Sequence, residues 1–235
     1  MTEKTIHRTK KWILGLLVYV AVTLGTILLI LGLIWPKFIK PKVFFERMVN
    51  ANVEVETDGG FGSATLVQWS NTVIALTAAH VVGTNADNAR LLRRVVEKNE
   101  YVGSDVSLCK LKYVFGELDV AEMRPYRDSF RNNGVVICPT GANLGETVYV
   151  VSSRLGGAYS QSISRGIVSA VGRRRESDKG EFLVDQTDAA VSPGSSGGGV
   201  FNDRGEFVGM VVLQSVSDHS ITLFISSRSI APLLR

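Results

Sequence analysis

Residues 192–202 read Ser-Pro-Gly-Ser-Ser-Gly-Gly-Gly-Val-Phe-Asn. Such a segment can present a serine hydroxyl and two backbone N–H groups to one point. Acyl transfer needs that combination: a nucleophile, and donors for the oxyanion formed when it attacks. Gly194 and the glycines after Ser196 allow backbone conformations that a Cβ would forbid. Turns rich in glycine and serine are common between strands, so the segment alone is a weak sign. It gains weight from Thr77-Ala78-Ala79-His80, which supplies a base, and from the acid Asp119 lying between the two.

With these segments in the order His, Asp, Ser, the chain resembles the trypsin-like serine proteases, and within them the HtrA branch. Gly60-Phe-Gly-Ser-Ala-Thr-Leu-Val67, followed by Ala75-Leu-Thr-Ala-Ala-His-Val-Val82, is similar to first-barrel strands ending at the catalytic histidine. Ser164-Arg-Gly-Ile-Val-Ser-Ala-Val-Gly-Arg173 and Asp185-Gln-Thr-Asp-Ala-Ala-Val-Ser-Pro-Gly-Ser-Ser-Gly-Gly198 resemble two further stretches of that branch. The similarity runs from about Val49 to Leu234. The chain order excludes the α/β-hydrolases, in which the acid and the histidine follow the serine.

The resemblance assigns roles residue by residue. It makes Ser196 the nucleophile, because the family places it directly before the paired glycines; Ser195 is an adjacent decoy. It implies an oxyanion hole from the backbone N–H groups of Gly194 and Ser196. His80 becomes the general base, taking the serine proton and returning it to the leaving amine. The globular part holds one other histidine, His219, with no motif around it. Asp119, in Leu-Asp-Val-Ala, resembles the family's orienting acid. Glu122 departs from the pattern, since relatives carry an apolar residue there, and this leaves Asp105 and Glu117 as lesser candidates. In this fold the residue six before the nucleophile, here Ala190, lies at the base of the pocket. Leu213, Gln214 and Ser215 are expected on one wall, with Thr222 and Phe224 opposite. An apolar floor cannot offset the desolvation of Lys or Arg, which implies small to medium aliphatic side chains at P1.

These residues need a scaffold, and from Val53 onward the chain shows short apolar runs separated by turn signals. That pattern indicates an antiparallel sandwich or barrel. The resemblance sharpens it to an all-β fold of two six-stranded antiparallel β-barrels, about 49–126 and 133–235, with the site in the cleft between them. Residues 88–98 are an exception, their Arg-Leu-Leu-Arg-Arg-Val-Val suggesting a turn of helix on an insertion. A short helix is expected over 43–50. The Arg173-Arg174-Arg175 cluster, followed by Glu176, Asp178, Lys179 and Glu181, reads as a solvated loop.

Ahead of the domain, Trp12–Trp35 is a run of twenty-four residues without charge. As a helix it would reach about 36 Å, enough to cross a hydrocarbon core about 30 Å thick. The expected organisation is therefore a basic tail (1–11), one N-terminal transmembrane signal anchor (12–35), a linker (36–48) and the protease domain (49–235). Equal numbers of basic residues flank the run, so charge does not set its orientation. A cytosolic N-terminus and an extracytoplasmic (periplasmic or external) catalytic domain are favoured.

The net charge of +4 belongs to the N-terminal part. The first fifty residues hold eight Lys/Arg against two Asp/Glu, and the remainder eighteen against twenty. A slightly acidic domain argues against a nucleic-acid partner. Two cysteines, Cys109 and Cys138, make no disulfide framework; they either pair in an oxidising compartment or stay as buried thiols. No motif suggests a metal site, and no cofactor is expected. The leading expectation is a membrane-anchored serine endopeptidase acting on exposed or unfolded protein segments. The alternative is a catalytically silent module of the same fold used for binding or scaffolding. The resemblance also implies a homotrimer built through the segment before the first barrel, around Phe44 and Phe45. PDZ domains common in the branch are not expected here, because the pattern ends with the second barrel.

Overall fold

The computed structural model describes residues 12, 16–27, 44–58, 60–83, 89–98, 100–155, 158–177, 180–214 and 221–234. The side chains of Leu213 and Gln214 lie outside that description. The pattern of internal contacts divides the chain into two units, Met1–Val43 and Phe44–Arg235.

In the first unit, residues 16–27 are helical. Among the described residues no helix is long and apolar enough to cross a membrane. The twelve described helical residues, 16–27, reach about 18 Å, against the roughly 30 Å of a hydrocarbon core. The expected transmembrane anchor over Trp12–Trp35 is therefore corrected, and residues 13–15 and 28–35 of that run lie outside the described residues. The expectations of a membrane partner, a single-pass topology and an extracytoplasmic domain behind a span fall with it.

The second unit begins with a helix over 44–51, whose Met48 and Ala51 are fully buried. Phe44 and Phe45 stack edge-to-face on Tyr149 of the same chain, with ring centroids 5.5 and 5.4 Å away. Seven strands follow: β1 (Asn52–Thr57), β2 (Gly60–Trp69), β3 (Thr72–Ala78), β4 (Arg90–Glu97), β5 (Glu100–Phe115), β6 (Val120–Pro125) and β7 (Val135–Val136). They form one sheet in the order β1-β4-β5-β6-β3-β2-β7, with β1 also paired to β2. The first half is therefore a seven-stranded sheet, not the expected six-stranded barrel. The extra strand arises because Val135 and Val136 pair in parallel with Val67 and Gln68.

The second half matches expectation. Strands β8 (Thr147–Arg154), β9 (Tyr159–Ser177), β10 (Gly180–Thr187), β11 (Gly199–Phe201), β12 (Phe207–Gln214) and β13 (Thr222–Ser226) close a six-stranded barrel in the order β10-β13-β12-β11-β8-β9. Its interior packs Val148, Val150, Val168, Val200, Val211 and Phe224.

Two local expectations are corrected. Residues 90–97 form β4, not a helical turn, because Leu91 and Arg93 point inward at a period of two. Arg93 is buried over the Phe130 ring, 5.3 Å from its centroid. The basic cluster at 173–175 is strand, not loop: Arg173, Arg174 and Arg175 pair with Val184, Leu183 and Phe182. Cross-strand pairing gives these residues a backbone ladder that their charge alone did not predict.

Candidate active site

Strand β3 ends at Ala78, and His80 lies in the short helix Ala79–Val82 immediately after it. Asp119 caps a 3-10 turn over Gly116–Leu118 and adopts a left-handed backbone (φ 54°, ψ 40°). That conformation turns its carbonyl toward the Ala79 N–H, 3.0 Å away. Both carboxylate oxygens serve His80. Oδ1 accepts from the backbone N–H at 2.9 Å, and Oδ2 meets ring Nδ1 at 2.7 Å. An Nδ1–H donated to a carboxylate leaves Nε2 as the ring's lone-pair nitrogen, the tautomer a general base needs. The His80 side chain is 50% exposed and Asp119 24%, so the free edge of the ring faces solvent. Of the lesser acid candidates, Asp105 pairs with Arg127 and Arg93, and Glu117 lies in the 3-10 turn.

Ser196 is held at the seam of the two sheets. Its carbonyl accepts from the N–H of Ser63 on β2 at 2.8 Å, and its hydroxyl donates to the Val212 carbonyl at 3.3 Å. No hydrogen bond joins it to His80 among the described residues. Strand β2 links the segments that carry them: Ala64 pairs with Thr77 three residues before His80, and the Thr77 hydroxyl donates to the Ser63 carbonyl at 2.7 Å. Gly197 (φ +88°) lets the chain pass there, since a Cβ at that position would collide with the Ser63 carbonyl. Ser195 differs sharply from its neighbour. It is 2% exposed, and its Oγ accepts from Ser152 at 2.9 Å and from the Ser192 N–H at 3.2 Å.

The two expected oxyanion donors are oriented from behind. In a trans peptide the N–H points opposite to the carbonyl. The Pro193 carbonyl accepts from the Leu155 N–H at 2.8 Å, and the Ser195 carbonyl from the Gly198 N–H at 2.8 Å. The N–H groups of Gly194 and Ser196 therefore face away from those partners. Gly194 carries φ +91°, a region that favours glycine. Its own carbonyl accepts from the Ser63 hydroxyl at 2.8 Å.

The expected pocket residues are spread wider. Ala190 is exposed, and its carbonyl accepts from Arg154 Nη2 at 2.7 Å and Ser164 Oγ at 2.6 Å. Thr222 is fully buried and donates to the Ala189 carbonyl at 2.8 Å. Phe224 is fully buried in the second barrel's core. Ser215 lies outside the described residues, and of Leu213 and Gln214 only the strand is described. Cys109 is a buried free thiol and Cys138 a half-buried one. No cluster able to hold a metal occurs among the described residues. Sequence reasoning missed Ser63, Leu155 and Gly198, and for the last two no residue-type signal exists, because each acts through its backbone.

The family model for a trypsin-like peptidase domain matches residues 62–210, a stretch that contains His80, Asp119 and Ser196. The chain belongs to this family. It is homologous to HtrA-type serine proteases: 28% identical over 194 residues to a serine protease HtrA-like protein of Staphylococcus haemolyticus, covering 76% of this chain and 27% of that protein. Identity to the serine protease Do-like HtrA of Bacillus subtilis is 29% over 187 residues, covering 76% and 39%. The chain thus spans well under half the length of these relatives. Among solved structures it is similar to Rv3671c of M. tuberculosis, a serine-to-alanine mutant in an inactive form, with TM-score 0.65 and 16% identity over 82% of this chain and 88% of that one. The HtrA-type protease AlgW with a decapeptide gives TM-score 0.64 and 19% identity over 81% and 65%. At these identities the structural likeness establishes the fold.

Proposed function

We propose that residues 49–235 form a serine endopeptidase domain that hydrolyses peptide bonds through an acyl-enzyme. Ser196 is the nucleophile, His80 the general base and then the general acid, and Asp119 the group that fixes the imidazole tautomer. The N–H groups of Gly194 and Ser196 receive the oxyanion, and Ala190 lies at the pocket for the residue on the acyl side. The observation supporting this reading is the pair of rear anchors on the Pro193 and Ser195 carbonyls, which turn each donor N–H away from its own peptide's hydrogen-bond partner and beside the Ser196 segment. For the first step the Ser196 hydroxyl leaves the Val212 carbonyl by χ1 rotation and donates to His80 Nε2, which takes its proton as Oγ attacks. The imidazolium formed is stabilised by Asp119. Each oxyanion donor contributes about 3–4 kcal/mol to the transition state.

A labelled fluorophosphonate and an unfolded protein substrate test the reading. Ser196→Ala is expected to abolish labelling and cleavage, and Ser195→Ala to keep partial activity. Labelling that persists in Ser196→Ala but disappears in Ser195→Ala would sink the assignment. A wild-type chain that neither labels nor cleaves would favour the silent binding module.

A further inference from the structure

A buried polar chain runs from Val49 and the first residue of β1 to the turn that carries Gly194, and Gln161 is its hub. Gln161 is 8% exposed and holds a left-handed backbone (φ 54°), which a non-glycine residue keeps only when its surroundings hold it there. Its amide nitrogen Nε2 donates to the carbonyls of Val49 at 2.6 Å and Asn52 at 3.1 Å. Its Oε1 accepts from the Arg94 N–H on β4 at 2.9 Å, and its own N–H donates to Ser153 Oγ at 3.4 Å. Ser153 passes the connection on: its Oγ donates to Asn52 Oδ1 at 3.2 Å, and its N–H donates to Ser63 Oγ at 2.8 Å. Ser63 Oγ donates in turn to the Gly194 carbonyl at 2.8 Å. Asn52, Ser63 and Ser153 are all buried, so water does not replace a partner that is lost, and each break leaves an unsatisfied group.

We propose that Gln161 is a positioning residue for the oxyanion donors, reading the placement of Val49–Asn52 and transmitting it through Ser153 and Ser63 to Gly194. The inference rests on the serine-peptidase reading for its kinetic consequence, and on the bonds alone for its structural one. Gln161 touches no reacting atom. Its effect is to fix the Gly194 carbonyl, and with it the backbone between the two donor N–H groups. The arrangement makes the segment ahead of the first strand an input to the site: whatever displaces Val49–Asn52 releases the Gly194 peptide.

The test uses the full chain, with the fluorophosphonate labelling rate as readout and Ser196→Ala as blank. Gln161→Glu keeps the acceptor for the Arg94 N–H and removes the Nε2 donor to Val49 and Asn52; Gln161→Ala removes both. Each is expected to slow labelling by about tenfold and to lower kcat on a peptide substrate with little change in KM, the pattern of a lost transition-state contact. Combined with Ser63→Ala, Gln161→Ala should add nothing beyond the slower single variant, as members of one chain do. Labelling within about twofold of wild type in Gln161→Glu, or single effects that multiply in the double variant, would overturn the relay. Amide exchange over 193–197 gives a readout free of activity. Faster exchange in Gln161→Glu at an unchanged thermal midpoint supports the relay, and unchanged exchange overturns it. Should wild type fail to label above the blank, the peptidase reading fails, and the exchange measurement still decides the relay.

Discussion

Glu122 lies three residues beyond Asp119 on β6, 1% exposed, in a position where the family pattern is apolar. Neither carboxylate oxygen has a hydrogen-bond partner; Arg124 Nε stands at 3.5 Å, an ion-pair distance without hydrogen-bond geometry. Burial pushes the Glu122 carboxyl above its ordinary value, with Arg124 and Lys112 acting in the opposite sense. A raised folded value means that the fold prefers the protonated form. The contribution of Glu122 to stability is full below its ordinary value near 4.5 and is lost as pH climbs through the raised one. Glu122→Gln is therefore expected to raise the thermal midpoint by a few degrees at pH 7, and the difference should vanish near pH 4. A variant less stable than wild type at both values would mean that the Arg124 pairing outweighs the burial cost. Cys109 yields a second expectation. Burial pushes its thiol up to about 12, and Sγ donates to the Ala89 carbonyl at 3.2 Å. In the native chain at pH 8 it should resist a disulfide reagent that modifies Cys138, and react only on unfolding. Rapid labelling of Cys109 in the folded protein would contradict its burial.

At the scale of elements, the seam between the first sheet and the turn that carries Ser196 is the least forgiving part. Ser63 and Gly197 approach so closely that a Cβ on Gly197 would meet the Ser63 carbonyl, with Thr77 Oγ1 at 2.6 Å. The positive φ adds strain for any other residue. Gly197→Ala is expected to cost more than about 2 kcal/mol and to abolish activity; a variant with a wild-type melting midpoint and rate would refute the packing described. Legibility followed the same lines. Strands β3, β12 and β13 were visible as apolar runs because both of their faces are buried, over Phe207–Val212 in the case of β12. Strand β4 was not, because an inward arginine, Arg93, breaks the alternation that marks a strand. Much of β9 went unseen, since Ser162, Ser164 and Arg165 give a polar ribbon no apolar period to follow. His80, Asp119 and Ser196 stood out in the sequence because the chemistry proposed for them demands particular residue types at particular places, and of these the structure joins His80 to Asp119. The groups that aim them were not: Ser63 and Gly194 are 131 residues apart, and Leu155 contributes only an N–H. The six-stranded first barrel failed over a parallel pairing of two residues that no local pattern announces.

For the whole molecule, the question is where the folding unit starts. The division after Val43 groups all of helix 44–51 with the larger unit, whereas the sequence reading placed residues 44–48 in a linker and began the domain at 49. The packing gives the reason. Met48 and Ala51 are fully buried in the larger core, and Phe44 and Phe45 close on Tyr149 at the start of the second barrel. The same helix delivers Val49, whose carbonyl holds Gln161. Removing it would thus cost core volume and also release the polar chain leading to Gly194. A chain beginning at Phe44 is expected to unfold in one cooperative transition at the midpoint of residues 44–235 within the full chain, and to retain its activity. A chain beginning at Val53 loses Met48 together with the Val49 and Asn52 partners of Gln161, and should be far less stable and inactive. Met48→Ala separates the two contributions, because it removes apolar volume and leaves every backbone carbonyl in place. It should cost about 2–5 kcal/mol, lowering the midpoint by about 2–4 °C for each kcal/mol, while the labelling rate of the folded fraction stays near wild type. If Met48→Ala slowed labelling as much as Gln161→Ala at temperatures where it remains folded, the helix would act on the site through its packing and not through its hydrogen bonds.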